Sequence, residues 1–114
     1  MDKRFELTVL MDFYAPLLTE HRRQILSLRL EEDLTFQEIA DQLGISRQGV
    51  HDQLTRAARR LFDMEEKLGM AARFRRMEDG LTRCREALRD KRYDDAEKTL
   101  DALIRLDQEE SNGL

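Results

Sequence analysis

The side chains best suited to chemistry lie between Ser46 and Arg60, where four arginines, Arg47, Arg56, Arg59 and Arg60, stand against one acid, Asp52. An arginine can pair with guanine O6 and N7, and a glutamine with adenine N6 and N7, so Arg47 and Gln48 are the candidates for reading bases. His51, Asp52 and Thr55 are expected to face base edges beside them, while Arg56, Arg59 and Arg60 are available to phosphates. On a helix of about 3.6 residues per turn, Gln48, Asp52, Thr55 and Arg59 fall roughly opposite Val50, Leu54, Ala57 and Leu61. The apolar side can then root the helix while the polar side meets a partner.

Other chemistries are poorly supplied. One cysteine, Cys84, cannot form an internal disulfide, and with only two histidines, His21 and His51, it cannot complete a four-ligand structural zinc site. No metal and no cofactor is expected. Cys84 falls on an apolar stripe and reads as core. Asp94 and Asp95 are explained by the positive end of a helix that starts beside them. There is no glycine-rich phosphate loop and no Gly-x-Ser-x-Gly elbow, so no enzyme is expected.

The elements that must position these residues follow from composition and periodicity. The 114 residues are 40% hydrophobic and 39% charged, with 5 Gly and 1 Pro. Average proteins carry about 25% charged residues, and an excess with so few breakers points to an all-α fold of solvated helices. No apolar run nears the roughly 20 residues of a membrane span, and Met1-Asp2-Lys3-Arg4 lacks a signal peptide's apolar stretch, so a cytoplasmic protein is expected. The net charge of −4 argues against coating nucleic acid by bulk basicity. The acidity is concentrated at one end, where residues 93–114 hold seven acids and two bases.

Phe5, Val9, Leu10 and Phe13 predict a helix over about residues 3–15 that stops at Pro16. Thr19 is a candidate cap for a helix burying Ile25, Leu26, Leu28 and Leu30. Thr35-Phe36-Gln37-Glu38 reads as a capping box for a short helix with Phe36, Ile39, Ala40 and Leu43 on one face. Gly44 can stop that helix in the left-handed conformation, and Ser46 caps the next, which carries Val50, Leu54, Ala57, Leu61, Met64 and Leu68 along one stripe. A small residue at Ala40, a permissive turn at Gly44 and an apolar anchor at Val50 together meet the needs of a helix-turn-helix. Beyond Gly69, Phe74, Met77, Leu81, Cys84 and Leu88 form one stripe and Tyr93, Ala96, Leu100, Leu103 and Leu106 another, predicting a helical hairpin.

These residues also carry a resemblance. Asp12-Phe13-Tyr14, Leu17-Leu18-Thr19, Glu38-Ile39-Ala40, Ser46-Arg47-Gln48, Val50-His51-Asp52 and Glu66-Lys67-Leu68-Gly69 resemble the YlxM family over about residues 5–76. These are small bacterial proteins whose helix-turn-helix is similar to region four of sigma factors. The resemblance implies a DNA-binding regulator linked to the signal recognition particle, its RNA or its receptor. It also matches Arg47, Gln48 and Asp52 to positions that read promoter bases. Gly49 departs from the pattern, standing where most members carry Ala.

The expected organisation is a helix-turn-helix domain over 1–68, a helical extension over 69–110 that ends in acids, and a frayed terminus over 111–114. The expected function is transcription regulation through nucleic acid, DNA in preference to RNA, by a homodimer. The alternative is an adaptor that binds no DNA and docks a signal recognition particle component through its acidic tail.

Overall fold

A computed structural model describes residues 3–112, with side chains through residue 109. It contains α1 (Lys3–Tyr14), α2 (Glu20–Leu30), α3 (Phe36–Leu43), α4 (Arg47–Leu68), α5 (Met70–Arg89) and α6 (Tyr93–Asn112), and no strand among the described residues. The chain divides into two compact units, Met1–Ala71 and Ala72–Leu114.

In the first unit the helix ends follow local chemistry. Pro16 cannot continue α1, and the chain passes into a 3-10 turn over Ala15–Leu17. The Thr19 hydroxyl oxygen accepts from the Arg22 amide, opening α2. Both halves of the capping box form: Thr35 Oγ1 accepts from the Glu38 amide at 3.1 Å, and Glu38 Oε1 from the Thr35 amide at 3.0 Å. Gly44 adopts φ +68°, and the Gly44 and Ile45 amides both donate to the Ala40 carbonyl. Ser46 Oγ then accepts from the Gly49 amide at 2.9 Å, so the cap of α4 follows the stop of α3 by two residues. Gly69, at φ +62°, ends α4 in the same left-handed manner.

This unit packs α4 against α1, α2 and α3. Tyr14, Ile25, Leu26, Ile39, Val50 and Leu61 are its largest fully buried side chains, and Ala40 is buried on α3. Burying one such aliphatic side chain contributes roughly 1.5–3 kcal/mol, enough for several together to hold α4 in place. One polar group joins the core. The buried Tyr14 hydroxyl donates to Glu65 Oε1 at 2.6 Å and accepts from the Met70 amide at 3.1 Å, while Glu65 Oε1 also accepts from the Ala71 amide at 3.0 Å. The first two amides of α5 are thereby satisfied without a side-chain N-cap. Burial, then the hydrogen bond to Glu65, raises the Tyr14 phenol above its ordinary pKa.

The second unit is an antiparallel hairpin. Cys84 Sγ meets the Ala96 carbonyl, Gly80 lies under Leu103, and Arg73 pairs with Asp107, so numbering rises on one helix as it falls on the other. Its turn uses Lys91 at φ +60°, with Arg92 bonded to Asp90 and Asp95. Cys84 is buried, as expected. The stripes, however, are only partly core. Ala96 and Leu103 are buried, whereas Leu81, Leu88, Tyr93 and Leu100 are exposed, and so is Phe74. The physical reason is close approach: a Cβ on Gly80 would sit 2.5 Å from Leu103 Cδ2, so the helices meet along Gly80, Cys84, Ala87 and Ala96 rather than along their largest residues. In the first unit Leu68 also departs from its expected stripe, being exposed beside the Gly69 stop. Helix α6 runs on through Asn112, where fraying was expected from 111, and residues 113–114 lie outside the described residues.

Candidate nucleic-acid interface

From Arg47 to Leu61, α4 is anchored on one side and open on the other. Val50, Ala57 and Leu61 are fully buried and Leu54 is half-buried, while Arg47, Gln48, His51, Asp52, Thr55, Arg56, Arg59 and Arg60 are all exposed. Ser46 fixes where this surface begins, because its hydroxyl holds the third residue of the helix.

The eight residues fall into three groups. Gln48 and Asp52 are joined one helical turn apart, with Gln48 Nε2 donating to Asp52 Oδ1 at 3.2 Å, and Asp52 lies 3.7 Å from His51 Nδ1. This presents the amide and the carboxylate as one unit, leaving the Gln48 carbonyl oxygen and its second N–H for a partner. Thr55 donates its hydroxyl hydrogen to the His51 carbonyl at 2.9 Å, so its methyl group and the oxygen lone pairs are what it offers outward. Arg47, Arg56, Arg59 and Arg60 form no ion pair or hydrogen bond with any described residue. Unpaired guanidinium groups on an exposed helix are ready to neutralise phosphate without first breaking an internal bridge.

Three supporting residues are absent from the sequence-based set. The Phe36 ring meets His51 edge-on at 6.0 Å between centroids, and the Arg29 guanidinium lies 5.1 Å over the same ring. His51 is thus steadied from α3, and Arg29 is drawn to the edge of the same surface. His21, from the start of α2, is hydrogen-bonded to Gln53 on α4. Phe36 and His51 are 15 residues apart and His21 and Gln53 are 32 apart, and even the seven between Arg29 and Phe36 cross from one helix to the next, so no helical spacing signals these contacts. The aromatic at 36, on the same face as Ile39, reads simply as core.

Beside His51, Thr55 and Arg59 the unit opens into a groove of about 530 Å³, floored by apolar residues including Leu26, Leu54 and Phe62. Lys3, Arg4 and Arg29 are among its other lining residues, none of which is acidic. Arg4 is paired with Asp33 at 2.6 Å, so the positive bias of the groove rests on Lys3, Arg29 and Arg59. Beyond Leu61 the helix carries Asp63, Glu65 and Glu66, so the bias belongs to its stretch from Arg47 to Arg60. Among the described residues no group of side chains is suited to a metal ion, and no helix is long and apolar enough to cross a membrane.

Comparison with known proteins places this arrangement in a family. The family model described as "Putative helix-turn-helix protein, YlxM / p13 like", UPF0122, matches residues 1–102. The chain is similar to a UPF0122 protein of Acetivibrio thermocellus, 49% identical over 74 residues that cover 65% of this chain and 63% of that relative. It is 38% identical to one of Halalkalibacterium halodurans over 77% of this chain and 81% of the relative. A third, from Bacillus pumilus, is 33% identical over 94% of this chain and 98% of its own length. With an all-α fold and a match running from α1 into α6, the chain belongs to the UPF0122 family of YlxM / p13-like proteins.

Proposed function

We propose that this protein is a cytoplasmic nucleic-acid-binding regulator, not an enzyme, that lays the first half of α4 in the major groove of DNA and prefers DNA to RNA. The carrying observation is the pairing of a fully buried apolar side with an exposed side bearing four unpaired arginines on one capped helix. In this reading Arg47 and the Gln48–Asp52 pair read bases, with His51 and Thr55 alongside. Arg56, Arg59 and Arg60 hold phosphates. A second copy supplies the second reading helix, as is usual for helix-turn-helix proteins at paired half-sites. The test is a selection of duplexes from a random pool at several salt concentrations. Arg47→Ala relaxes the selected sequence, costing about 1–3 kcal/mol of discrimination, whereas Arg59→Ala weakens every sequence alike and flattens the salt slope by about one. A selected sequence indifferent to both substitutions overturns this reading.

A second reading is favoured by α6, whose seven acids against two bases suit a basic protein surface. Here the protein is an adaptor in the signal recognition particle pathway and α4 is scaffold. Replacing Asp94, Glu97 and Asp101 by their amides separates the two. Under the adaptor reading it abolishes capture of a basic particle component, and under the regulator reading it strengthens nucleic-acid binding by removing repulsion.

A further inference from the structure

The α5–α6 hairpin leaves its larger apolar side chains outside. Leu81 and Leu88 on α5, and Tyr93, Leu100 and Ile104 on α6, are 40–61% exposed, although each helix has a buried face close by. Their placement is systematic. Leu81 follows the buried Gly80, Leu88 follows Ala87, and Ile104 follows Leu103, so these three are one step round their helices from the hairpin seam, and Leu100, four residues before Ile104, shares its side of α6. Leu81 and Leu88 are seven residues apart, as are Tyr93 and Leu100, which keeps each set on one line. A step in the same sense about two antiparallel axes turns both lines to the same side of the hairpin. One face of this unit is therefore apolar along both helices.

Charge indicates what covers it. Helix α5 carries six arginines against three acids, and α6 seven acids against two bases, so the hairpin is positive along one helix and negative along the other. A second hairpin with the same division is its electrostatic complement when it is turned by a two-fold axis parallel to the helices. That axis sets α5 of each copy over α6 of the other and keeps all neighbours antiparallel, with favourable helix dipoles. The other face-to-face two-fold, with its axis across the helices, sets α5 on α5 and α6 on α6, which is repulsive twice over.

We propose that the α5–α6 unit is a homodimerisation module, in which two hairpins close an antiparallel four-helix bundle through this face. A rotation about an axis along the helices leaves each residue at its own height. The seam contacts put Cys84 level with Ala96 and Gly80 level with Leu103. Leu81 of one copy therefore meets Leu100 of the other, and Leu88 meets Tyr93. At the rim, Arg85 of one copy stands near Glu97 of the other. The interface is isologous, with the same patch used on both sides. It gives structure to the second copy invoked above but does not rest on nucleic-acid binding.

The full-length chain tests this in two ways. Sedimentation across a range of concentrations is expected to give twice the 13.5 kDa chain mass, reduced to the chain mass by Leu81→Glu with helical circular dichroism retained. Separately tagged Leu81→Cys and Leu100→Cys proteins, mixed under mild oxidation, are expected to form the mixed disulfide in preference to either symmetric one. Cys84, being buried, does not compete. A chain that stays at 13.5 kDa at every concentration overturns the proposal, as does a dimer indifferent to Leu81→Glu in its folded form, or a preference for symmetric disulfides. If Leu81→Glu unfolds, the cysteine pairing decides alone. A monomer that still binds nucleic acid in a salt-dependent way overturns the dimer and leaves the regulator reading standing.

Discussion

Helix α4 and the α5–α6 hairpin solve the burial problem in opposite ways. Along α4, Val50, Ala57 and Leu61 are wholly enclosed by three other helices, and what remains outside from Arg47 to Arg60 is polar or charged. In the hairpin the enclosed residues are small, Cys84, Ala87 and Ala96 with Gly80, apart from Leu103, and what remains outside includes Leu81, Leu88 and Ile104. A helix buried by large residues is self-sufficient and can offer an electrostatic surface. A pair that meets through small residues gains little from its own seam and is left with apolar area that a further partner can cover. The two regions are thus suited to different partners, an anion for the first and a second apolar face for the other.

The largest effect that can break this comparison is expected at Leu61. Truncation to Ala should cost about 2–5 kcal/mol of urea stability, because the site is closed on all sides and collapses poorly. The half-exposed Leu88, truncated likewise, should cost under about 0.5 kcal/mol when measured on the dissociated chain. Equal losses at the two positions erase the contrast.

Tyr14→Phe comes next, at about 1–3 kcal/mol, since it strands the Met70 amide and removes a donor from Glu65. It also has a pH signature. A phenol whose folded pKa is raised above 10.0 favours the folded state fully below that value and loses this advantage as pH climbs through the raised value. Thermal midpoints should therefore fall more steeply above pH 10 for the wild type than for Tyr14→Phe. Parallel curves contradict the hydrogen-bonding assigned here.

The two helical glycines sharpen the comparison further. Gly80→Ala forces Leu103 to move, with its Cδ2 2.5 Å and its Cγ 2.9 Å from the new Cβ. Overpacking at that seam should cost about 1–3 kcal/mol, exceeding the helix-propensity gain. Gly49→Ala is tight only against the Ser46 hydroxyl oxygen, at 3.1 Å, with Ile45 in ordinary contact from 3.8 Å. Its net effect should be a gain of under about 1 kcal/mol, the propensity term being partly offset by pressure on the cap. Chemical denaturation followed by circular dichroism reads both, and a destabilising Gly49→Ala shows that the cap cannot yield.

Legibility in the sequence divides along the same line. Thr19, the Thr35–Glu38 box, Gly44, Ser46 and Gly69 were readable because each cap depends on residues within three or four positions. The polar side of α4 was readable because its apolar side repeats cleanly. The hairpin seam was harder. Periodicity favours the largest apolar residues, but helix approach is limited by the smallest, so the stripes name Leu81 and Leu88 where Gly80 and Ala87 are the buried positions. The Tyr14–Glu65 bond spans 51 residues and left no local trace. Nor could spacing reveal that Thr55 turns its hydroxyl back on its own helix.

The most direct test of the arginine face compares the wild type with the combined Arg47→Ala, Arg56→Ala, Arg59→Ala variant in a salt titration of duplex binding. Between about 50 and about 200 mM salt the wild-type affinity should fall steeply, and the variant should bind at least about tenfold more weakly at low salt with a shallower slope. Equal affinities and equal slopes, in a variant that keeps its helical circular dichroism, would contradict the claim that α4 meets nucleic acid.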